Sequence, residues 1–115
     1  MSVRRIVPDI HTRALGESRA FYRAPGLDEV MDLGWIVSFA SSSVPTAQVG
    51  VATHDATAPV VPDISIGVDD VDAVHAAVCA NGAEIVHPLR NEAWGVRRFF
   101  VRDPDGRVVN VLTHL

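Results

Sequence analysis

Five histidines, one cysteine and two tryptophans carry most of the chemical possibility in this chain. His11 follows Asp9 by two residues in "VPDIHT". An imidazole titrates near neutrality, so His11 is a candidate general base or metal ligand, or a plain histidine at the rim of a pocket. The other four stand apart: His54 in a linker, His75 after Val74 in a helical pattern, His87 before Pro88 at a strand end, and His114 beside the C-terminus. No H-x-H, H-E-x-x-H or C-x-x-C spacing occurs, so no ready-made metal motif is present. There is no glycine-rich phosphate loop and no G-x-S-x-G nucleophile. The single Cys79 excludes an internal disulfide, and its place in a helical pattern reads as a small buried residue. Trp35 and Trp94 either fill a core or interface, or offer a flat aromatic wall to a planar or cationic ligand. Asp103-Pro104-Asp105-Gly106 reads as a turn: proline presets φ at its second position and glycine takes the positive φ at its end. Neither aspartate is assigned to catalysis.

The bulk properties narrow the classes. The chain has 115 residues, enough for one domain with a real core but too few for two ordinary ones. Its residues are 48% hydrophobic and 21% charged, a globular profile. All ten basic residues are arginine, and the formal net charge is −4 with the charges scattered. A nucleic-acid partner needs a basic face, so that class is excluded. No apolar run approaches the roughly 18 residues of a membrane span, and no signal-like segment follows Met1. The expectation is a cytoplasmic protein with no membrane partner.

The elements that must position these side chains come in two similar sets. Val3 to Thr12 alternates, with Val7, Asp9 and His11 on one side and Ile6, Pro8 and Ile10 on the other, which is strand periodicity. Arg13 to Arg23 follows as a helix ended by Pro25-Gly26. Strands are predicted near Glu29 to Leu33, Trp35 to Ala40 and Ala47 to Thr53. After a linker at His54 to Pro59 the order repeats. Pro62 to Val68 is a strand, Asp69 or Asp70 caps a helix with Val71, Val74 and Val78 on its apolar face, and Gly82 stops it. Strands follow near Ala83 to His87, Arg97 to Arg102 and Val108 to Thr113. "GLDEV" at Gly26 matches "GAEIV" at Gly82 with an offset of 56, and Thr53-His54 matches Thr113-His114 with an offset of 60. The expected fold is therefore α+β: two βαβββ modules, about 1–56 and 57–115 of one domain, with curved mixed sheets around a concave cleft and helices on the outer face.

Ser18-x-x-Phe21-Tyr22, the glycine after each helix, "EAWGVRRFFVRDPDG" and the strand after it resemble the vicinal oxygen chelate superfamily, which holds glyoxalases, bleomycin-resistance proteins and extradiol dioxygenases. "AWG" before "FFVRDPDG" is most similar to the bleomycin-resistance-like branch. The resemblance covers nearly the whole chain. It implies paired βαβββ modules, homodimers in single-domain members, and, in the enzymes, a divalent metal held by two residues per module.

Carried over residue by residue, those metal positions fall on Val7, Gly50, Asp63 and Asn110. Valine and glycine have no side-chain donor and asparagine is a weak one, so no metal and no cofactor is expected. What the cleft would offer is a binding pocket lined by Val7, Asp9, His11, Gly50, Asp63, Asn110, Trp35 and Trp94. The resulting expectation is a metal-free homodimer that binds or sequesters an aromatic or cationic small molecule in interface clefts. Arg97-Arg98 beside Trp94 and the modest net charge argue against bleomycin itself. Two alternatives stay open: a metal-dependent lyase or dioxygenase with Asp63, His11 and Asn110 as donors, and a metal-free acid/base enzyme using His11 or Asp63.

Overall fold

A computed structural model describes all residues, 1–115, as eight strands and two helices of an α+β fold. The elements are β1 (Val3–His11), α1 (Leu15–Arg23), β2 (Asp28–Asp32), β3 (Ile36–Ala40), β4 (Gln48–Ala52), β5 (Ile64–Val68), α2 (Val71–Ala80), β6 (Ile85–Glu92), β7 (Val96–Arg102) and β8 (Val108–His114). Two compact units form: Ile6–Val61, and Pro62–Leu115 together with Met1–Arg5. No helix is long and apolar enough to cross a membrane.

In the Ile6–Val61 unit the strands lie in the order β2-β3-β4-β1. β1 runs parallel to β4, and the other neighbours are antiparallel. In the second unit the order is β5-β8-β7-β6, with β5 parallel to β8. Each unit is thus a βαβββ module of the same topology. The repeat read from the sequence reaches down to single residues. Asp9 lies opposite Gly50, and their counterparts at the two offsets, Ser65 and Asn110, lie opposite each other.

The core of each module sits under its helix. In the second unit Ile66 and Val68 of β5 pack with Val71, Val74 and Val78 of α2 and with Phe99, Val101 and Val111. The alternation of Pro62 to Val68 and the three-and-four spacing on α2 are the cause: each puts its apolar residues on one side. α2 starts where Asp70 accepts a hydrogen bond from the Ala73 amide at 3.0 Å, which satisfies one of the helix's free donors. In the first unit Val37, Phe39, Val49 and Val51 pack with Leu15 and Tyr22 of α1.

Three expectations are corrected. β6 does not end at His87; it runs to Glu92 and keeps its pairing with β7 through two register irregularities. His87 is consequently buried rather than terminal. Cys79 is exposed, because α2 turns its Val71, Val74 and Val78 stripe to the core and the next residue after Val78 falls off that stripe.

Candidate functional site

In each module the sheet face opposite the helix carries the polar side chains. On the Ile6–Val61 unit that face includes Val7, Asp9 and Gly50. Val7 is buried and Asp9 half-buried. The Asp9 carboxylate folds across Gly50: a Cβ built on Gly50 would come within 2.8 Å of Asp9 Oδ1. Glycine is needed there because the neighbouring strand's side chain already fills the space. His11, at the exposed end of β1, places Nε2 3.0 Å from the Thr53 carbonyl oxygen, so Nε2 carries the proton and donates. Trp35 precedes β3 in the β2–β3 turn, half-buried, with its ring 6.3 Å from the His54 ring.

On the second unit, Asp63 is spent on structure. Its amide donates to the Val108 carbonyl and its Oδ2 accepts from the Val108 amide, each at 2.8 Å, which pins the start of β5 to β8. Asn110 is buried, and its Nδ2 donates to Ser65 Oγ at 3.0 Å. Its Oδ1 is buried with no hydrogen-bond partner. A buried orphan acceptor costs about 1–3 kcal/mol, so this oxygen is a natural point for a donor to meet.

The largest polar feature of this face lies on residues that sequence reasoning missed. Arg98, Glu92 and His87 are all buried side by side. Glu92 Oε1 accepts from His87 Nε2 at 2.7 Å and stands 3.4 Å from Arg98 Nε. The Arg98 guanidinium lies 4.8 Å from the ring centres of both Trp94 and Phe100. Trp94 itself sits in the β6–β7 turn, half-buried. One aromatic wall suggested for a cationic ligand therefore already holds an internal cation. The signal available in the sequence was parity: Val96, Arg98 and Phe100 share one side of β7, away from Phe99 and Val101. The Glu92 partner was hidden because β6 extends past Pro88 through irregular pairing.

Asp103 and Asp72 also have structural partners. Asp103 Oδ1 accepts from the Asp105 and Arg107 amides at 2.9 and 2.8 Å, and the Arg107 amide hydrogen bond holds its carboxyl below the usual range. Gly106 closes the turn at φ +89°. The Asp103-Pro104-Asp105-Gly106 turn is thus a hairpin device with no free catalytic carboxylate at Asp103. On α2, the hydrogen bond from Arg97 lowers the Asp72 carboxyl in the same way.

The side chains at the positions the resemblance implies do not fit a divalent metal in either unit. Val7 and Gly50 supply no donor atom, and Gly50 is overlaid by Asp9. The Asp63 carboxylate is engaged by a backbone amide, and Asn110 directs its Nδ2 to Ser65. In neither unit do three His, Cys, Asp or Glu side chains group closely enough to hold an ion.

Comparison with known proteins matches this architecture. No curated protein sequence matches the chain. A Vibrio splendidus 12B01 structure, a glyoxalase/bleomycin resistance protein/dioxygenase superfamily member, superposes with a TM-score of 0.69 at 16% identity, over 99% of this chain and 100% of that one. A Legionella pneumophila structure described as an NAD-dependent benzaldehyde dehydrogenase gives a TM-score of 0.75 at 15% identity, over 96% and 99% of the two chains. The Mn(II)-bound glyoxalase of Novosphingobium aromaticivorans gives 0.67 at 21% identity, over 96% of this chain and 38% of that one. At such identities the likeness speaks for the fold alone. The sequence model of one family matches residues 10–111, nearly the whole chain, and on that match the chain belongs to the Glyoxalase/Bleomycin resistance protein/Dioxygenase superfamily.

Proposed function

We propose that this protein is a small-molecule-binding member of its superfamily that works without a metal, and that it sequesters a planar aromatic ligand as a homodimer. The observation that carries the reading is the donor set. The positions at which the resemblance places metal ligands hold Val7, Gly50, Asp63 and Asn110, and the one good donor among them is committed to the Val108 amide. Lewis-acid activation of a bound oxygen needs several imidazole or carboxylate donors at fixed distances, and these positions do not provide them. A binding role makes better use of the polar face that each module carries. Trp35 and Trp94 supply aromatic surface, Asn110 Oδ1 supplies an acceptor that a ligand N–H or O–H would satisfy, and Asp9 and His11 supply polar groups of known orientation. The kinship with the bleomycin-resistance-like branch belongs to this proposal. Its cationic ligand is the weaker half, because Arg98 takes one face of Trp94.

Metal analysis decides between this and the metal-dependent lyase or dioxygenase. Protein purified after growth with manganese, iron, nickel and zinc should hold less than about 0.1 metal per chain. Stoichiometric metal that dissociates on substituting Asp63 or Asn110, with metal-dependent turnover of a hemithioacetal or catechol, would overturn it.

A further inference from the structure

A cavity of about 370 Å³ opens on the Pro62–Leu115 unit and its Met1–Arg5 segment, at the ends of β5 and β8. None of the residues named for the polar sheet faces lines it. Its cationic wall is Arg4 and Arg5, with His114 beside them, and its apolar lining comes from Gly67, Val68 and Leu112. The size is that of a small-ligand pocket. We propose that this cavity is a binding site for a small organic anion: a carboxylate, or an equivalent oxyanion, on an apolar planar body.

Four observations carry this. First, the position of Arg5 is built. Its side chain lies across Gly67, where a Cβ would meet Arg5 Cγ at 3.0 Å and Nε at 3.2 Å. Glycine lets the guanidinium stem lie flat on β5, so the head is delivered to the cavity. Second, the Arg5 guanidinium is in contact with His114 Nε2. An arginine remains protonated, so it donates and His114 Nε2 must accept with its lone pair. His114 is therefore neutral while it holds this contact. Burial first, and then the Arg5 charge, push its pKa below the ordinary histidine value.

Third, the charges do not cancel. Asp69 is the one acid in the lining, and its Oδ1 already accepts the Ser2 amide at 2.7 Å. That amide, the largest influence on the group, lowers its pKa and keeps it charged. Against it stand Arg4 and Arg5, so one positive charge is left over before His114 titrates. Fourth, the guanidinium fork matches a carboxylate in two parallel hydrogen bonds. An anion seated there would draw the Arg5 fork from His114 and stabilise the imidazolium. Binding is then coupled to uptake of one proton by His114, with Arg4, Arg5, Asp69 and the anion as the charges that set it. The site uses residues of one unit and stands whether or not the metal-free reading of the sheet face holds.

The test uses the full chain and three probes of one shape: benzoate, benzyl alcohol and benzylamine. Amide and histidine NMR signals are followed at pH 6 and pH 8. Benzoate is expected to move Gly67, Leu112 and His114 selectively, to raise the His114 titration midpoint, and to bind more tightly at pH 6. Benzyl alcohol should bind at least tenfold more weakly, and benzylamine should leave these signals unmoved. Arg5→Gln should weaken benzoate at least tenfold, and Arg4→Gln should weaken it less. The His114 response in the unsubstituted protein keeps the test decisive if Arg5→Gln fails to fold. Unmoved Gly67 and His114 signals at about 20 mM benzoate would overturn the proposal. So would equal binding of benzylamine, or a His114 midpoint that benzoate does not raise.

Discussion

Glu92→Gln tests the buried charge network most directly. The Glu92 side chain is 0% exposed, Arg98 only 2%, and the carboxylate meets both His87 and Arg98. Glutamine keeps the shape and one acceptor but removes the charge that offsets the guanidinium. Removing one partner of a buried pair costs about 3–5 kcal/mol, and the retained acceptor points to the low end, about 3 kcal/mol. Unfolding entropy near 2.1 cal/mol/K per residue over 115 residues amounts to about 0.24 kcal/mol/K, so the melting midpoint should fall by about 12 °C. Urea unfolding and calorimetry on the same preparations measure both quantities. The companion variant Glu92→Leu/Arg98→Met removes both charges and lets methionine fill the space between Trp94 and Phe100. It should cost less than Glu92→Gln alone, since well-packed apolar replacements of buried pairs are tolerated. A loss under about 1 kcal/mol for Glu92→Gln would refute the reasoning, as would a double variant that costs the sum of its single ones.

Further outcomes follow from the same geometry. Gly50→Ala should cost about 1–3 kcal/mol in urea unfolding by driving Cβ into Asp9 Oδ1, and Asp9→Ala should recover part of that loss in a double-variant cycle. Asp70→Ala should cost about 1 kcal/mol by removing the cap on α2, whereas Asp70→Ser should cost much less. Asp72 has a folded pKa lowered by Arg97, so its contribution is present above the unfolded value of 3.8 and disappears as pH falls through the folded one. Asp72→Asn should therefore lower the urea midpoint slightly at pH 7, where the contribution is present, and leave it unchanged in strong acid, which flattens the decline of stability below about pH 4.

What could be read from the sequence was whatever depended on short-range periodicity. The alternation through Ile64, Ile66 and Val68, the stripe of Val71, Val74 and Val78, and the helix-ending glycines at Gly26 and Gly82 all reappear in the fold. The repeat offsets even carried Asp9 and Gly50 onto Ser65 and Asn110. What depended on irregular pairing was invisible. Nothing local says that β6 continues past Pro88, so Glu92 and His87 could not be joined to Arg98. The commitments of individual side chains were equally hidden. Asp63 looked like an available donor until the Val108 amide was seen to occupy it, and Trp94 looked like an open platform until Arg98 was seen against it. The Arg5–His114 contact joins residues from opposite ends of the chain, beyond the reach of any sequence window.

The placement of Met1–Arg5 with the Pro62–Leu115 unit has a consequence for how the chain is made. During synthesis, this segment meets its partners only after β5 and β8 have emerged. The Asp69 amide donates to the Ser2 carbonyl at 3.1 Å, so even the earliest of these contacts closes a loop spanning more than half the chain. Long-range closure of this kind slows folding. The Ile6–Val61 unit can gather first, while the opening strand residues wait for the second half. Cutting the gene between its two repeats would accordingly not yield two matched halves: a fragment beginning at Pro62 would lack the arginines that line its cavity and the Ser2 contacts with Asp69.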